Sequence, residues 1–364
     1  MASPRTVLLA LLAVLALVVT ACGDGGASQA PQDSDEPEGE SQAASPDATE
    51  DEVESAAPTS VCEGVTADEP VTVGFASATQ PAYFPALLSI ETSEAIPMEP
   101  TFFQQSELAM QAVLQGEVDV LAIGINGPMI TISGGADLRI FGVTIGNDWT
   151  IVANDTIQSP EDLEGARIGI HSETSTGTPL VRGTLNDLGI EAEFVTIAGS
   201  PNRAQAMTQD QIDATTLFLS DSIRLERNDP DKFHVLLDYA EVPFASQSLV
   251  AGTEWLDGNP ELAECFVTHF VETGQRMHEE RDWAIEQLIE MFPDEDPEYL
   301  EALATEYLDR GLWVDDGGQE LLSNLGEAAE ILIDLESLSA DAPTDASAYV
   351  RMDLVDAAVE NAAQ

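Results

Sequence analysis

Positive charge is the scarcest property of this 364-residue sequence. It holds 12 Lys and Arg against 67 Asp and Glu, for a formal net charge of −55, and Lys232 is the single lysine. Such a polyanion is repelled by nucleic acid and by anionic lipid, so we exclude nucleic acid as a partner. Because the lysine lies in Asp231-Lys232-Phe233, a glycine-rich phosphate loop with its lysine is excluded as well.

Histidine and cysteine are also too few, and too far apart, for the common catalytic motifs. His269 and His278 are nine residues apart, which is not the spacing of metal ligands on a helix. The sequence has no Gly-x-Ser-x-Gly elbow, and neither Cys62 nor Cys265 has a neighbouring histidine at a strand end. We therefore expect a protein that is not an enzyme and that binds no cofactor or metal.

The one long apolar run lies at the N-terminus. Residues 7–21 carry no charge and follow Arg5, but this run is shorter than the roughly 20 residues that a membrane-spanning helix needs. It ends in Val19-Thr20-Ala21-Cys22, which resembles a bacterial lipobox. We predict a lipoprotein signal peptide at 1–21 and lipidation of Cys22, with the protein held by lipid on the extracytoplasmic face of the cell membrane. The alternative is an ordinary secretory signal.

Residues 22–69 contain very few large apolar side chains. They hold fourteen acids and no base, so we predict a disordered acidic tether. The remaining chain still has 53 acids and 11 bases, a net charge of −42. Self-repulsion of this size is tolerable at about 1 M salt, where the Debye length is about 3 Å. A high-salt habitat is one explanation, and a merely acidic secreted protein is the other.

Two cysteines remain if Cys22 is lipidated. Cys62 and Cys265 form an even pair in a compartment where disulfides persist. A bridge across so long a loop stabilises by up to about 5 kcal/mol in the chain-entropy model. We expect this disulfide, although the sequence leaves the distance between the two cysteines open.

The rest of the chain alternates strand and helix patterns. Short apolar and β-branched runs predict strands at 71–75, 100–103, 118–123, 138–143, 150–153, 166–170, 193–197 and 214–219. A helix is predicted from Ser106, and its apolar face would hold Leu108, Ala109, Ala112 and Val113. Further helices are predicted at Pro160 and over 179–188. After Pro260 the chain is predicted to be almost wholly helical, with further helix starts at Pro297 and near Gly318. This order predicts an α/β fold with mostly parallel sheets and a helical C-terminal region.

Several motifs, in order, resemble one family. They are Leu114-Gln115-Gly116-Glu117-Val118-Asp119-Val120, Gly124-Ile125-Asn126-Gly127-Pro128, Ser159-Pro160-Glu161-Asp162-Leu163, Gln211-Ile212-Asp213-Ala214 and Trp255-Leu256 with Asn259-Pro260-Glu261-Leu262. Together they are similar to the solute-binding proteins of ABC importers in the nitrate/sulfonate/taurine group. Related members bind thiamine-pyrimidine precursors.

The resemblance implies a type II periplasmic-binding-protein fold, with two lobes that close over a ligand. Lobe I would hold 70–148 plus 246–364 and lobe II 149–245, with chain crossings near 147–151 and 242–248. The implied function is capture of a small solute, a sulfonate-, taurine- or nitrate-like anion being favoured. The implied partners are that solute and an ABC permease with its ATPase, and the protein itself would be a monomer.

Polar residues follow the predicted strands at the end of the sheet where α/β proteins bind ligands. The candidate ligand-binding residues are Ser77, Thr79, Gln80, Tyr83, Asn126, Gly127, Trp149, His171, Thr174, Ser175, Thr176, Gly177, Ser220 and Asp221. Ser175-Thr176-Gly177 is the best anion cradle among them, because hydroxyl and backbone donors precede a helix. Each residue taken singly is better explained as a turn or cap residue, and for His171 a packing role explains it equally well. The resemblance implies that several of them converge on one cleft, which favours binding.

The ligand itself stays open at this point. Arg182 and Arg203 lie either near the cleft or in surface ion pairs. With so few cations, a zwitterion or a neutral pyrimidine-like heterocycle is an alternative, with Asp148, Asp221 or Glu173 accepting an amine. Two other functions stay open. One is an enzyme on the same scaffold, although the iron motif of the pyrimidine-forming branch is missing here. The other is a binding domain that serves as a sensor or an adhesin partner.

Overall fold

The computed structural model describes residues 61–67 and 69–363. The predicted signal peptide, the lipidation site at Cys22 and most of the predicted tether lie outside these residues, so they stay predictions. Within the described part of the chain, no helix combines the length and the apolar character that crossing a membrane requires.

The first of two sheets is built mainly from the N-terminal part of the fold. Its strands are β1 (Val71–Phe75), β2 (Met98–Phe102), β3 (Val120–Ile123), β4 (Leu138–Ile145) and β10 (Gln247–Gly252), in the order β2-β1-β3-β10-β4. The helices between the first four strands are α1 (Phe84–Thr92), α2 (Ser106–Leu114) and α3 (Asn126–Ser133). β3 and β10 are almost completely buried, as expected for strands covered on both faces.

The second sheet has the same number of strands. They are β5 (Trp149–Asn154), β6 (Arg167–Ile170), β7 (Glu193–Thr196), β8 (Ala214–Phe218) and β9 (Phe233–Asp238), in the order β7-β6-β8-β5-β9. Its helices are α4 (Gly177–Leu188), α5 (Ser200–Thr208) and α6 (Leu219–Asn228). A 3-10 turn at Pro160–Leu163 precedes β6, and Gly189 ends α4 in the left-handed conformation, at φ 68°.

The chain passes between the sheets twice, at 146–148 and at 239–246. The predicted α/β fold with two mostly parallel sheets and flanking helices is confirmed: in each mixed sheet four of the five strands run in one direction, and one strand, β10 or β5, runs against them. β1 and β6 pair in parallel with their neighbours, whereas β5 and β10 run antiparallel to theirs. The reason is that β5 and β10 each enter their sheet directly from a crossing, without the helical crossover that sets strands parallel.

The C-terminal region is helical, as predicted. It comprises α7 (Thr253–Gly258), α8 (Pro260–Glu279), α9 (Arg281–Met291), α10 (Pro297–Asp309), α11 (Gln319–Ser323), α12 (Leu325–Asp334) and α13 (Met352–Ala362). The predicted starts at Pro260 and Pro297 are confirmed, with proline in the first turn of each helix. α8 packs against α1 and α13, whereas α10 reaches α6 beside the second sheet.

Two details of the sequence prediction need correction, and one is confirmed. Leu108 was expected in the core, but 48% of it is exposed because α2 turns Met110 inward instead. Ser106 is the first residue of α2 rather than a side-chain cap. The Cys62–Cys265 disulfide is present, with Cα atoms 5.0 Å apart, and it joins the segment before β1 to α8.

Candidate functional site

A cavity of about 40 Å³ lies between the two sheets, with room for roughly three water molecules. Residues that follow β1, β3 and β6 and residues of β5 and β8 reach it, which is the strand-end position expected for a ligand in an α/β fold. Eight of the predicted residues line it: Ser77, Tyr83, Gly127, Trp149, His171, Thr174, Ser175 and Thr176. The other six do not.

Arg203 lines the cavity from α5 and is completely buried. Its Nε donates to the carbonyl of Thr216 at 2.9 Å and its Nη1 to that of Ile197 at 3.1 Å, while Nη2 has no hydrogen-bond partner among the described residues. Burial lowers the pKa of Arg203 to about 10, so the guanidinium remains charged at neutral pH. A buried cation therefore keeps one donor free.

Arg203 differs in this respect from most basic residues of the fold. Eight described cations form ion pairs at the surface: Arg167, Arg182, Arg224, Lys232, Arg276, Arg281, Arg310 and Arg351. Arg203 has no ion-pair partner within the described ranges, although acids far outnumber bases in the chain. Buried Asp221 interacts with Arg203 electrostatically, but without a direct ion pair. Because a buried cation without a direct ion pair is costly, this arrangement is typical of a site that receives an anion.

His171 supplies a second donor directly after β6. Its Nδ1 accepts the backbone N–H of Gly199 at 3.0 Å, so the proton of the neutral ring lies on Nε2, which has no partner among the residues described. Burial, and then the charge of Arg203, lower the pKa of His171 to about 4. At neutral pH the ring is a neutral hydrogen-bond donor.

Trp149, the first residue of β5, gives the third donor. Its Nε1 is buried and has no hydrogen-bond partner in the described part of the chain. The indole packs on Phe218 with ring centroids 4.5 Å apart. Gly177 lies against its other side, since a Cβ there would come within 2.9 Å of the indole Cε3. The ring is thus held in place from two sides.

The hydroxyl-rich loop after β6 is tied mainly to protein groups. Ser175 Oγ donates to the carbonyl of Ser172 at 3.2 Å and lies 3.1 Å from Thr178 Oγ1. Thr174 Oγ1 donates to Glu107 Oε1 at 2.6 Å, across the cleft from the loop. The loop lines the cavity as predicted, but most of its hydroxyls shape the loop itself or join it to the first-sheet side.

The first-sheet side presents polar groups that already have partners. Tyr83 Oη donates to Ser77 Oγ at 3.1 Å, and Gln80 Nε2 donates to the same oxygen at 3.2 Å. Gln80 lies behind this pair, and Thr79 is exposed outside the cavity. The polar groups of Ser77 and Tyr83 on this side of the cavity are therefore hydrogen-bonded to each other.

The remaining predicted residues support the site from behind. Asn126 is fully buried and donates from Nδ2 to the carbonyl of Thr174 at 2.8 Å. Ser220 is bound to α10, because its N–H donates to Tyr307 Oη and its carbonyl accepts from Tyr299 Oη. Asp221 is buried next to it, and burial raises its pKa.

Asp148 and the two arginines left open by the sequence can now be located. Asp148 lies in the first crossing, where it accepts from Tyr307 Oη at 2.5 Å, and burial raises its pKa to about 6. It does not line the cavity. Arg182 pairs with Glu173 at 2.8 Å, so Arg182 is one of the arginines in surface ion pairs. Arg203 lies in the cleft.

Sequence reasoning missed several lining residues. They are Ala76, Ser106, Ala122, Ile123, Gly124, Ser200, Phe218 and Ser246. Gly124 and Ser246 face the cavity from the end of β3 and from the second crossing, a pairing that only the antiparallel contact of β3 with β10 brings about. Gly124 was available within the family motif, but nothing local distinguishes it from a turn glycine.

The match to a known protein family covers the second sheet and part of the first. Residues 101–280 match the family model described as NMT1/THI5 like, from β2 to the end of α8. This match confirms the resemblance found in the motifs, and the matched segment contains Trp149, His171 and Arg203. No curated protein sequence matches the chain.

Solved structures share the fold at low sequence identity. The alkanesulfonate-binding protein of Xanthomonas axonopodis pv. citri, bound to MOPS, is similar with a TM-score of 0.62 and 16% identity, over 78% of this chain and 99% of that one. The periplasmic nitrate-binding protein of Synechocystis PCC 6803 has a TM-score of 0.63 and 14% identity, over 80% and 89%. The desulfurization enzyme DSZB has a TM-score of 0.58 and 13% identity, over 79% and 99%. The fold is that of periplasmic binding proteins, and it carries both binding proteins and an enzyme.

Proposed function

We propose that this protein is an extracytoplasmic solute-binding protein that captures a small oxyanion and delivers it to an ABC importer. The observation that carries the proposal is that three residues lining one cavity each hold a buried donor atom without a hydrogen-bond partner among the described residues. They are Arg203 Nη2, His171 Nε2 and Trp149 Nε1. An acceptor-rich anion satisfies all three donors at once.

The nature of the similar proteins supports an oxyanion. The names of two structural neighbours specify an alkanesulfonate and nitrate, each a monoanion with several acceptor oxygens. The cavity here is small, and its one buried cation matches one negative charge. A sulfonate or nitrate-like monoanion is therefore the favoured solute.

The proposed mechanism is hinge closure of two lobes. Lobe I comprises 70–148 plus 246–364 and lobe II comprises 149–245, so the two crossings of the chain form the hinge. Contacts across the cleft, such as Thr174 with Glu107 and Asn126 with Thr174, fit a closed state. In this proposal the closed form presents both lobes to the permease, whose ATPase drives import.

The proposal includes the cellular setting. Lipid at Cys22 anchors the protein to the extracytoplasmic face of the membrane, and the acidic segment over 22–69 is its tether. The protein acts as a monomer, with neither enzymatic activity nor a cofactor. The lipobox pattern supports the lipid anchor. The structural neighbours are mainly binding proteins, which supports a binding function.

A zwitterionic amino-sulfonate is the second candidate. Asp148 Oδ1 and Asp221 Oδ2 are buried carboxylate oxygens without hydrogen-bond partners among the residues described. If the lobes open and reclose around a longer ligand, an ammonium group extends from the sulfonate toward one of these acids. The thiamine-pyrimidine heterocycle is the remaining alternative.

Calorimetric titration of the chain with nitrate, methanesulfonate, taurine and an aminopyrimidine tests the proposal. We expect binding of at least one monoanion with quenching or enhancement of Trp149 fluorescence, and no such signal in the Trp149→Phe variant. Binding of the aminopyrimidine alone would contradict the oxyanion. Native mass spectrometry of the purified protein then identifies any solute that it carries from the cell.

A further inference from the structure

Gly124 lies at a close approach between the two sides of the cleft. It follows β3 and lines the cavity, directly opposite Thr176 of the hydroxyl-rich loop. A Cβ at this position would lie 2.4 Å from Thr176 Oγ1, 3.3 Å from Thr176 Cβ and 3.4 Å from the carbonyl oxygen of Ser246. The φ angle of Gly124 is not positive, so its backbone does not require glycine. The absence of a side chain serves the close approach.

Thr176 has little freedom to move away from this contact. Its side chain is 3% exposed, and its Oγ1 accepts the backbone N–H of Asn126 at 3.4 Å. The same loop is held by the hydrogen bond from Asn126 Nδ2 to the carbonyl of Thr174. All these contacts join the first-sheet side to the second-sheet side. Their geometry therefore depends on how far the cleft closes.

We propose that Gly124 is a specificity-determining residue, which sets the size of the ligand by letting Thr176 close against the end of β3. This inference rests on the proposed binding of an oxyanion. With glycine at 124 the cleft closes to a cavity of about 40 Å³, which suits nitrate or a one-carbon sulfonate. A bulky organic sulfonate holds the loop away from Gly124 and loses the interlobe contacts.

The variant Gly124→Ala separates this role from general packing. The new methyl group requires Thr176 to retreat by about 1 Å to reach ordinary van der Waals contact. Overpacking of this contact is expected to raise the equilibrium constant for opening of the cleft by about tenfold. We expect the affinity for nitrate to fall by about tenfold and that for MOPS to stay constant or increase.

The experiment compares nitrate, methanesulfonate and MOPS by calorimetry on the wild type and three variants. Gly124→Ala is the test. Gly258→Ala is the matched control, because a Cβ at Gly258 meets no atom within 4 Å and α7 is not part of the cavity. The double variant Gly124→Ala/Thr176→Ala removes the clashing hydroxyl and is expected to restore part of the nitrate affinity. Thermal unfolding by circular dichroism verifies that each variant is folded.

The outcomes separate this inference from the proposed function. If the wild type binds none of the oxyanions, the proposed function fails and this inference fails with it. Suppose that the wild type binds nitrate, and that Gly124→Ala lowers the affinity for all three probes equally or for none of them. Size selection by Gly124 is then overturned, while the proposed function stands. Preference of the wild type for MOPS over nitrate also overturns it. Should Gly124→Ala not fold, Thr176→Ala alone decides, since a widened cleft must shift selectivity from nitrate toward methanesulfonate.

Discussion

The two walls of the cavity differ in what they leave unsatisfied. On the second-sheet side, Arg203, His171 and Trp149 each keep a buried donor without a hydrogen-bond partner among the described residues. On the first-sheet side, the hydroxyls of Ser77 and Tyr83 bind each other. An unmet donor is costly unless a ligand supplies the acceptor, so we propose that the second-sheet wall holds the charge of the ligand. In this proposal the first-sheet wall supplies shape and closure.

The largest effect is expected from Arg203→Met, which removes the cation and keeps the approximate length of the side chain. Hydrogen bonds to charged groups contribute about 1.5–3 kcal/mol, so the affinity for nitrate or methanesulfonate should fall by about 100-fold in calorimetry. Arg203→Lys keeps the charge without the planar fork and should lose less. Equal binding by wild type and Arg203→Met would remove the distinction between the two walls.

A pH dependence is expected from His171. Because its pKa is lowered to about 4 by burial and by Arg203, the ring is neutral in the free protein at pH 7. A bound anion favours the protonated form, so affinity should rise, by up to about tenfold, as the pH falls from 7 to 5. His171→Gln should abolish this rise. A flat profile in the wild type would show that the ligand does not approach the imidazole.

The same pKa predicts the stability of the free protein. The unfolded chain takes up a proton at His171 near pH 6.5, while the folded chain does not until about pH 4. Unfolding is therefore favoured increasingly as the pH falls between these values. Thermal unfolding measured from pH 7 to pH 4 should show a smaller loss of stability in His171→Gln than in the wild type. An identical loss of stability in both would contradict a buried neutral ring.

A smaller effect is expected from Trp149→Phe, which removes one neutral donor but keeps an aromatic wall against Phe218 and Gly177. A neutral hydrogen bond contributes about 1 kcal/mol, so the affinity should fall by about fivefold. The melting temperature serves as the control for packing. An unchanged affinity would mean that the indole lines the site without donating to the ligand.

The smallest effect is expected from Tyr83→Phe on the opposite wall. Its hydroxyl already donates to Ser77 Oγ, so a ligand gains little from it, and the affinity should change by less than about twofold. A loss as large as that of Arg203→Met would show that both walls bind the charged group and that the comparison is wrong.

The order of secondary structure could be predicted because its signals are local. Proline at Pro260 and Pro297 starts helices, Gly189 ends one, and β-branched runs form β1 and β6. Two elements with weak patterns were missed, although α5 also has a proline in its first turn. α5 is short and polar, and β10 contains small and polar residues that form a strand only because it lies between two antiparallel neighbours.

The chemistry of the site was harder to predict than its location. The hydroxyl-rich loop and Trp149 stand out in the sequence, since they follow or begin strands. The burial of Arg203 could not be foreseen, because its cost is met by the carbonyls of Ile197 and Thr216, which only the folded sheet brings close. The contact of Gly124 with Thr176 depends on closure of the cleft, and no pattern within either segment records it.

The bridge between Cys62 and Cys265 has a mechanical consequence. If the N-terminal segment is anchored to the membrane as proposed, a pull along it reaches α8 through the disulfide before it reaches β1. The strand that leads to Ser77 is thereby relieved of tension, and the load passes into a long helix of the first-sheet side. The half of the molecule that carries Arg203 and His171 would bear none of this load, which leaves it free to move in the proposed hinge closure.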